Sequence, residues 1–203
     1  MCNLYKMRAS LDEVTRMFGV ERNAAGNLQP LDEIFPGYDV PVIARGRQGE
    51  RALGTMRWGF PPPPVRGGGQ SGKANVKRPV TNVRNLDSPF WRSALTKPER
   101  RCLVPVTSFC EWTGATGAKR QVWFSVTDLP VFAFAGCWRP VKDEPPHFAF
   151  LTCEPNETVG AVHPKAMPVL LTPDDAETWL TGDWNAARAL ARPFPDARMT
   201  AEG

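Results

Sequence analysis

The sequence is poor in the residues that build metal sites, and it contains no long apolar run. Histidine occurs only at His147 and His163, and the five cysteines include no Cys-x-x-Cys pair. Because zinc sites need closely spaced Cys and His ligands, we expect neither a metal nor another cofactor. No apolar stretch approaches the ~20 residues of a membrane span, and residues 1–14 are too polar for a signal or transit peptide. These absences predict a cytoplasmic protein that does not bind a membrane.

The cysteines fall into two groups. Four lie in apolar, strand-like segments, where buried and inert thiols are expected: Cys102, Cys110, Cys137 and Cys153. The fifth, Cys2, directly follows Met1. Removal of Met1 would give Cys2 a free α-amine beside its thiol, which is a 1,2-aminothiol. In model peptides the amine titrates near pH ~8 and the thiol near ~8.5, so both nucleophiles are available at neutral pH.

Two reactions suit this group. With an aldehyde, the amine forms a Schiff base and the thiol then closes a five-membered thiazolidine ring. With an amide or ester, the thiolate attacks and the amine serves as a built-in base. Residue 2 alone does not choose between them, because every chain has a residue at that position.

Positive charge is concentrated in one segment. The formal net charge is +4, yet residues 73–101 alone contain eight Lys and Arg against two acids. Lys77, Arg78 and Arg84 belong to this basic segment. Such a segment suggests a polyanionic partner, although a solvated loop and helix face would give the same pattern.

The hydrophobic pattern predicts an α+β fold in one domain, residues 1–203, with a strand-rich, barrel-like antiparallel core and a few peripheral helices. We expect the core to span residues 2–180 and residues 181–203 to form a loose tail. Helices are predicted over 11–19, 88–95 and 172–180. Strands are predicted over 37–45, 53–60, 102–106, 108–112, 121–126, 131–138, 147–155 and 167–171. The strands 121–126 and 131–138 are expected to pair, and the Pro/Gly-rich residues 61–73 to form an exposed loop.

A few polar residues stand where they could do chemistry. Glu111 interrupts an apolar run, which favours a raised carboxyl pKa and an acid/base role, unless it simply emerges at a strand end. His163 precedes Pro164 and is a candidate for proton transfer or phosphate contact. Asn82 could orient a carbonyl or a sugar hydroxyl, and Arg84 could hold a phosphate. Each of these patterns is weak by itself.

The motifs become specific when they are taken in order. Met-Cys begins the chain, RWG stands at 57–59, NVR at 82–84, CLVPVTSFCEW at 102–112 and HPKAMP at 163–168. With this set the chain resembles the SOS-response-associated peptidase family over about residues 2–180. Three features depart from the usual family pattern: Asn3-Leu4 replaces Gly-Arg after Cys2, the segment after Arg84 lacks the usual glutamate, and the loop after RWG is unusually rich in Pro and Gly.

The resemblance implies that Met1 is removed and that Cys2 forms a thiazolidine with the ring-opened aldehyde of an abasic site in single-stranded DNA. Cys2 would then be the nucleophile, and Asn82 would orient either it or the sugar. Glu111 would act as acid and base for ring opening, condensation and reversal. His163 would contact the lesion phosphate and assist proton transfer.

The same resemblance implies a DNA-binding surface. Arg84 would hold the DNA backbone, while Trp58 and Trp112 would line a channel for the strand; tryptophans are equally often core residues. Lys77 and Arg78 would add contacts from the basic segment. The expected protein is a monomer that associates with the nucleoid, and its partner is single-stranded DNA that contains abasic sites.

Two other functions remain open on the sequence. One is a cysteine-dependent peptidase or amidase that uses Cys2, Glu111 and His163. The other is a non-catalytic module that binds single-stranded DNA and for which Cys2 is incidental. A free α-amine is needed for crosslinking, whereas a peptidase could act through the thiol alone and a simple binder would tolerate Cys2→Ala.

Overall fold

Two sheets and a few short helices make up the computed structural model, which describes residues 2–62, 78–115 and 117–203. The α-helices in these residues are α1 (Leu11–Phe18), α2 (Pro89–Leu95), α3 (Glu157–Gly160), α4 (Ala176–Thr181) and α5 (Trp184–Ala189). Short 3-10 helices cover Pro98–Arg100, Pro173–Asp175 and Asp196–Arg198. The predicted loop 61–73 falls mostly outside the described residues, as does Lys77.

Strands are the most abundant regular structure in the described residues. They are β1 (Tyr5–Met7), β2 (Arg22–Asn23), β3 (Leu31–Ile34), β4 (Asp39–Arg45), β5 (Arg51–Trp58), β6 (Asn82–Val83), β7 (Arg101–Val106), β8 (Ser108–Thr113), β9 (Arg120–Val126), β10 (Phe132–Val141), β11 (Glu144–Cys153), β12 (Met167–Pro168), β13 (Leu170–Leu171) and β14 (Met199–Glu202). None of the helices described is long and apolar enough to cross a membrane.

Local sequence explains the first helix well. Ser10 Oγ accepts a hydrogen bond from the backbone N of Glu13, and the Glu13 carboxylate accepts one from the backbone N of Ser10, which completes a capping box. Gly19 ends α1 at φ 59°, in the left-handed region that glycine adopts without strain. The helix predicted over 11–19 is therefore confirmed to within one residue at its end.

The core is a closed barrel. Strands β11, β10, β7, β4 and β5 pair antiparallel in that order, and β11 also pairs with β5 in parallel through His147↔Arg57 and Phe148↔Trp58. This last pairing closes the ring of strands. The predicted barrel-like, antiparallel core with few helices is confirmed, with one parallel pairing at the closure.

Aromatic side chains fill the space between the barrel and the second sheet. The second sheet has the order β14-β9-β8-β1-β3. Phe109 of β8 lies 5.9 Å from Phe134 of the barrel, centroid to centroid, and Tyr5 of β1 lies 5.6 Å from the same ring. All three residues are buried, and burial of each such ring contributes about 1.5–3 kcal/mol. This packing fixes β1, and with it the N-terminal residues, against the barrel.

Two expectations about the strands and the C-terminus are wrong. Strands β9 and β10 do not pair: β9 lies between β8 and β14, whereas β10 belongs to the barrel. Residues 181–203 are no loose tail either, because they form α5 and β14, and β14 pairs with β9 from Met199↔Val126 to Glu202↔Trp123. The two errors have one cause: the partner of β9 comes from the far end of the chain, where no local pattern shows it.

Candidate active site around Cys2

Strand pairing brings Cys2 and Glu111 to the same end of the second sheet. Tyr5 of β1 pairs with Phe109 of β8, and the backbone N of Cys110 donates to the carbonyl of Leu4 at 2.9 Å. The two strands run antiparallel, so Cys2 continues alongside Glu111. Both side chains are buried.

Asn82 reaches the same point from the barrel. It lies on β6, which pairs in parallel with β11 through Phe150↔Asn82. Its Nδ2 donates to the carbonyl of Cys2 at 3.2 Å and to Oγ1 of Thr81 at 2.8 Å. Both amide hydrogens are thereby used. The Oδ1 atom of Asn82 is buried and has no hydrogen-bond partner in the part of the chain that the structure describes.

The buried Oδ1 atom of Asn82 indicates which chemical groups the site can bind. A buried acceptor that lacks a donor costs about 1–3 kcal/mol, so its presence calls for an explanation. Asn82 Oδ1 can accept only from an N–H or O–H group. The arrangement therefore suits a donor that reaches the Asn82 side chain, such as an amine or a sugar hydroxyl.

Trp58 lies in the core next to this site and does not face solvent. Its side chain is fully buried, its Nε1 donates to the carbonyl of Thr81 at 3.2 Å, and its ring lies 5.3 Å from that of Tyr5. The expectation that Trp58 lines a channel for the strand is therefore wrong. Phe148↔Trp58 is one of the pairs that close the barrel, and this position turns the indole into the core.

Burial governs the protonation of Glu111 and Cys2. Burial raises the pKa of the Glu111 carboxyl, and the charge of His163 acts in the opposite direction. Burial, followed by the negative charge of Glu111, raises the pKa of the Cys2 thiol above its ordinary value. The thiol is accordingly neutral at neutral pH, and its Sγ donates to the carbonyl of Leu4 at 3.5 Å.

His163 is held by the short helix α3. Its backbone N donates to the carbonyl of Val159, and its Nδ1 lies 2.9 Å from the carbonyl O of Ala166. A carbonyl only accepts, so Nδ1 carries a hydrogen. The ring is half-buried, and its charge reaches Glu111. The structure thus brings together Cys2, Asn82, Glu111 and His163.

The predicted DNA-contacting residues are more scattered. Arg84 is exposed and contacts the carbonyl of Lys165 and, at 3.3 Å, the carboxylate of Glu154, which places it beside the His163 loop. Trp112, next to Glu111, is 39% exposed. Arg78 is exposed close to the Phe60↔Val80 bridge, at the edge of the described residues. Lys77 lies outside the described residues.

Sequence reasoning missed Tyr5 and Thr81. Tyr5 packs on Trp58, and the charge of a Cys2 thiolate would raise its pKa further above the ordinary value that burial already raises. Thr81 supplies the hydroxyl that holds the Asn82 amide. Its position next to Asn82 was visible in the sequence, but its contact depends on the long-range pairing of β6 with β11.

The fold recurs in solved structures of proteins from bacteria. A crystal structure from Bacteroides thetaiotaomicron is 23% identical with a TM-score of 0.77, over 98% of this chain and 90% of the other. One from Bordetella bronchiseptica is 22% identical with a TM-score of 0.78, over 98% of both chains. A phage-related protein from the same organism is 20% identical with a TM-score of 0.73, over 99% of this chain and 93% of the other.

These likenesses, at such low identity, concern the fold. No curated protein matches the chain at a significant level. A family model described as SOS response associated peptidase (SRAP) matches residues 1–202, which is nearly the whole chain and includes every element of the site around Cys2. The chain therefore belongs to the SOS response associated peptidase family.

Proposed function

We propose that this protein, once Met1 has been removed, binds single-stranded DNA and forms a thiazolidine crosslink between Cys2 and the ring-opened aldehyde of an abasic site. The observation that carries the proposal is the hydrogen bond from Asn82 to the Cys2 carbonyl, with Glu111 and His163 in electrostatic contact at the same place. A nucleophile, a positioned amide and an acid/base pair are what such a condensation needs.

The reaction can be written with every atom accounted for. The Cys2 amine attacks the aldehyde carbon, and water leaves to give a protonated imine. The sulfur then bonds to the same carbon, the C=N π electrons return to nitrogen, and the thiol proton leaves. The net result is one thiazolidine and one water.

Glu111 fits the proton transfers in both steps. Because burial raises the pKa of its carboxyl, the protonated form is more available as an acid near neutral pH than it is for an ordinary glutamate. In that form it can protonate the leaving hydroxyl, and the carboxylate so formed can take the thiol proton. Asn82 Oδ1 can meanwhile accept a hydrogen bond from the Cys2 amine or a sugar hydroxyl.

The state of the thiol supports an amine-first route. Burial and Glu111 raise the pKa of Cys2, so little thiolate is present before an electrophile arrives. A peptidase of the usual cysteine type depends on a lowered thiol pKa. A thiol that attacks an imine already formed beside it has no such need, because the attack is intramolecular.

The surface beside the site suits a single strand. Trp112 presents an exposed ring next to Glu111, and base–aromatic stacking contributes about 1–3 kcal/mol per base without sequence preference. Arg84 and His163 lie on neighbouring loops and offer cationic or hydrogen-bonding groups to phosphates. Binding of this kind weakens with salt.

Intact mass spectrometry tests the proposal. The protein is incubated with a single-stranded oligonucleotide that carries one abasic site, and the matched control is Cys2→Ala, which keeps an α-amine but loses the thiol. We expect a starting mass without Met1 and a gain of one oligonucleotide minus one water that survives denaturation without reductant. Cys2→Ala should give an adduct only when borohydride traps the imine. An equally stable adduct from Cys2→Ala without borohydride would refute the thiazolidine.

A further inference from the structure

Three large hydrophobic side chains in the described part of the chain are strongly exposed, and all three lie at one end of the second sheet. They are Phe35, Tyr38 and Trp112, exposed by 37%, 47% and 39%. Tyr5 pairs antiparallel with both Ile34 and Phe109. The chain from Tyr5 back to Cys2 therefore runs in the same direction as the chain from Ile34 to Phe35. The chain from Phe109 to Trp112 runs in that direction too.

The turn that carries Phe35 and Tyr38 is firmly held. The two rings meet edge to face with centroids 6.0 Å apart, and the backbone N of Tyr38 donates to the carbonyl of Phe35 at 3.2 Å. Between them, Gly37 has φ 94°, which favours glycine. The N of Gly37 donates to the carbonyl of Trp58 at 2.8 Å, and the N of Trp58 donates to Tyr38 O at 3.0 Å. The turn is thus anchored on the residue that supports the Asn82 side of the site.

Ion pairing reduces the negative charge beside this turn. The nearest acid along the chain, Asp39, receives two hydrogen bonds from Arg57, at 2.8 and 3.0 Å, and Arg57 also pairs with Glu144 at 3.1 Å. The arginine offsets one of these two negative charges. Two exposed rings beside a paired acid form a surface on which the flat face of a base can stack.

On the basis of the proposed function, we propose that Phe35 and Tyr38 form a second stacking platform for single-stranded DNA, on the opposite side of Cys2 from Trp112. Strand β1 lies between β3 and β8, and neighbouring strands are ~4.8 Å apart, so the two platforms flank Cys2 at a separation of about 10 Å. The abasic nucleotide at Cys2 has no base of its own. Its two neighbours would each stack on one platform, and this would hold the sugar over the nucleophile.

Binding can be measured apart from crosslinking. The oligonucleotide carries a tetrahydrofuran abasic analogue, which has no aldehyde, with 2-aminopurine placed either 5′ or 3′ of it. For the double variant Phe35→Leu/Tyr38→Leu we expect Kd by fluorescence anisotropy to rise about 5- to 150-fold for each lost stack, and quenching of one 2-aminopurine position to be lost. Tyr38→Phe, which keeps the ring, is the matched control and should bind as the unmodified chain does.

Unchanged affinity and unchanged quenching in the double variant would refute the proposal that Phe35 and Tyr38 stack on DNA bases. Thermal melting shows whether the double variant is folded, and the single variant Tyr38→Leu repeats the test with the smaller change. Crosslinking of the unmodified chain to an oligonucleotide with a true abasic site is scored separately. If that adduct is absent, the proposed function fails, whereas the tetrahydrofuran oligonucleotide still decides whether the rings bind bases.

Discussion

The side-chain amide of Asn82 donates to Oγ1 of Thr81 at 2.8 Å, and this hydrogen bond helps to fix the orientation of the amide. With one amide hydrogen on Thr81 and the other on the Cys2 carbonyl, Oδ1 is left to accept from the reacting groups. Thr81, which precedes the NVR motif, thus orients Asn82, the first residue of that motif. Without that hydroxyl, only the hydrogen bond to the Cys2 carbonyl would hold the amide, among the contacts described for it.

Thr81→Val should slow crosslink formation while it leaves DNA affinity nearly unchanged. Valine keeps the shape of threonine but removes the acceptor, and a net hydrogen bond contributes about 0.5–1.5 kcal/mol, which corresponds to a rate loss of roughly 2- to 12-fold. Thr81→Ser keeps the hydroxyl and should react at nearly the rate of the unmodified chain. Single-turnover rates and tetrahydrofuran-oligonucleotide affinities provide the two readouts. Equal rates for Val and Ser would contradict the positioning role.

Glu111→Gln should retain DNA binding and lose most of the acid/base contribution, which is typically about 100- to 10,000-fold in rate. Since burial raises the pKa of Glu111, the pH–rate profile of the unmodified chain should have an inflection above the ordinary carboxyl pKa. Glutamine does not titrate, so that inflection should disappear. A Gln variant that keeps the same inflection would assign it to another group.

The same raised pKa predicts how folding stability responds to pH. A carboxyl whose folded pKa lies above its unfolded pKa stabilises the fold fully below the unfolded value, and this contribution is lost as pH rises through the folded value. Relative to the unmodified chain, Glu111→Gln should therefore gain stability as pH rises from the ordinary carboxyl range, near pH ~4, through the raised pKa of Glu111. Urea unfolding at several pH values measures the difference. A difference that stays constant with pH would show that the Glu111 pKa is unshifted.

The two tryptophans that the motifs singled out should behave in opposite ways. Trp58→Ala removes a fully buried indole and should lower the free energy of unfolding by about 3–5 kcal/mol. Trp112→Ala removes an exposed ring, so it should leave stability within about 0.5 kcal/mol but weaken single-strand binding. Melting curves and anisotropy separate the two effects. A Trp58→Ala variant that keeps its stability but loses DNA binding would show that Trp58 contacts DNA.

Local patterns predicted what depends on nearby residues, and failed where the partner is distant. The Ser10 and Gly19 caps of α1 were visible in the sequence, as was the apolar run around Glu111 that buries its carboxyl. The inward turn of Trp58 depends on the closure between β5 and β11, about ninety residues apart. The motif order indicated that Asn82 and Glu111 belong to one site, but not which atoms meet.

Residues 181–203 were expected to form a loose tail and are instead part of the fold. Phe194 is buried, its carbonyl accepts from Nδ2 of Asn156 at 2.8 Å, and β14 covers the edge of β9. Asn156 also caps α3, the helix that precedes His163. Phe194→Ala should therefore cost about 3–5 kcal/mol of unfolding free energy.

Removal of residues 181–203 should cost more and should also expose the β9 edge, which promotes aggregation. The matched control is Glu202→Ala, at an exposed position of the same strand, which should change stability by less than about 0.5 kcal/mol. A truncated chain that melts at the temperature of the full one would mean that this segment contributes nothing to the fold.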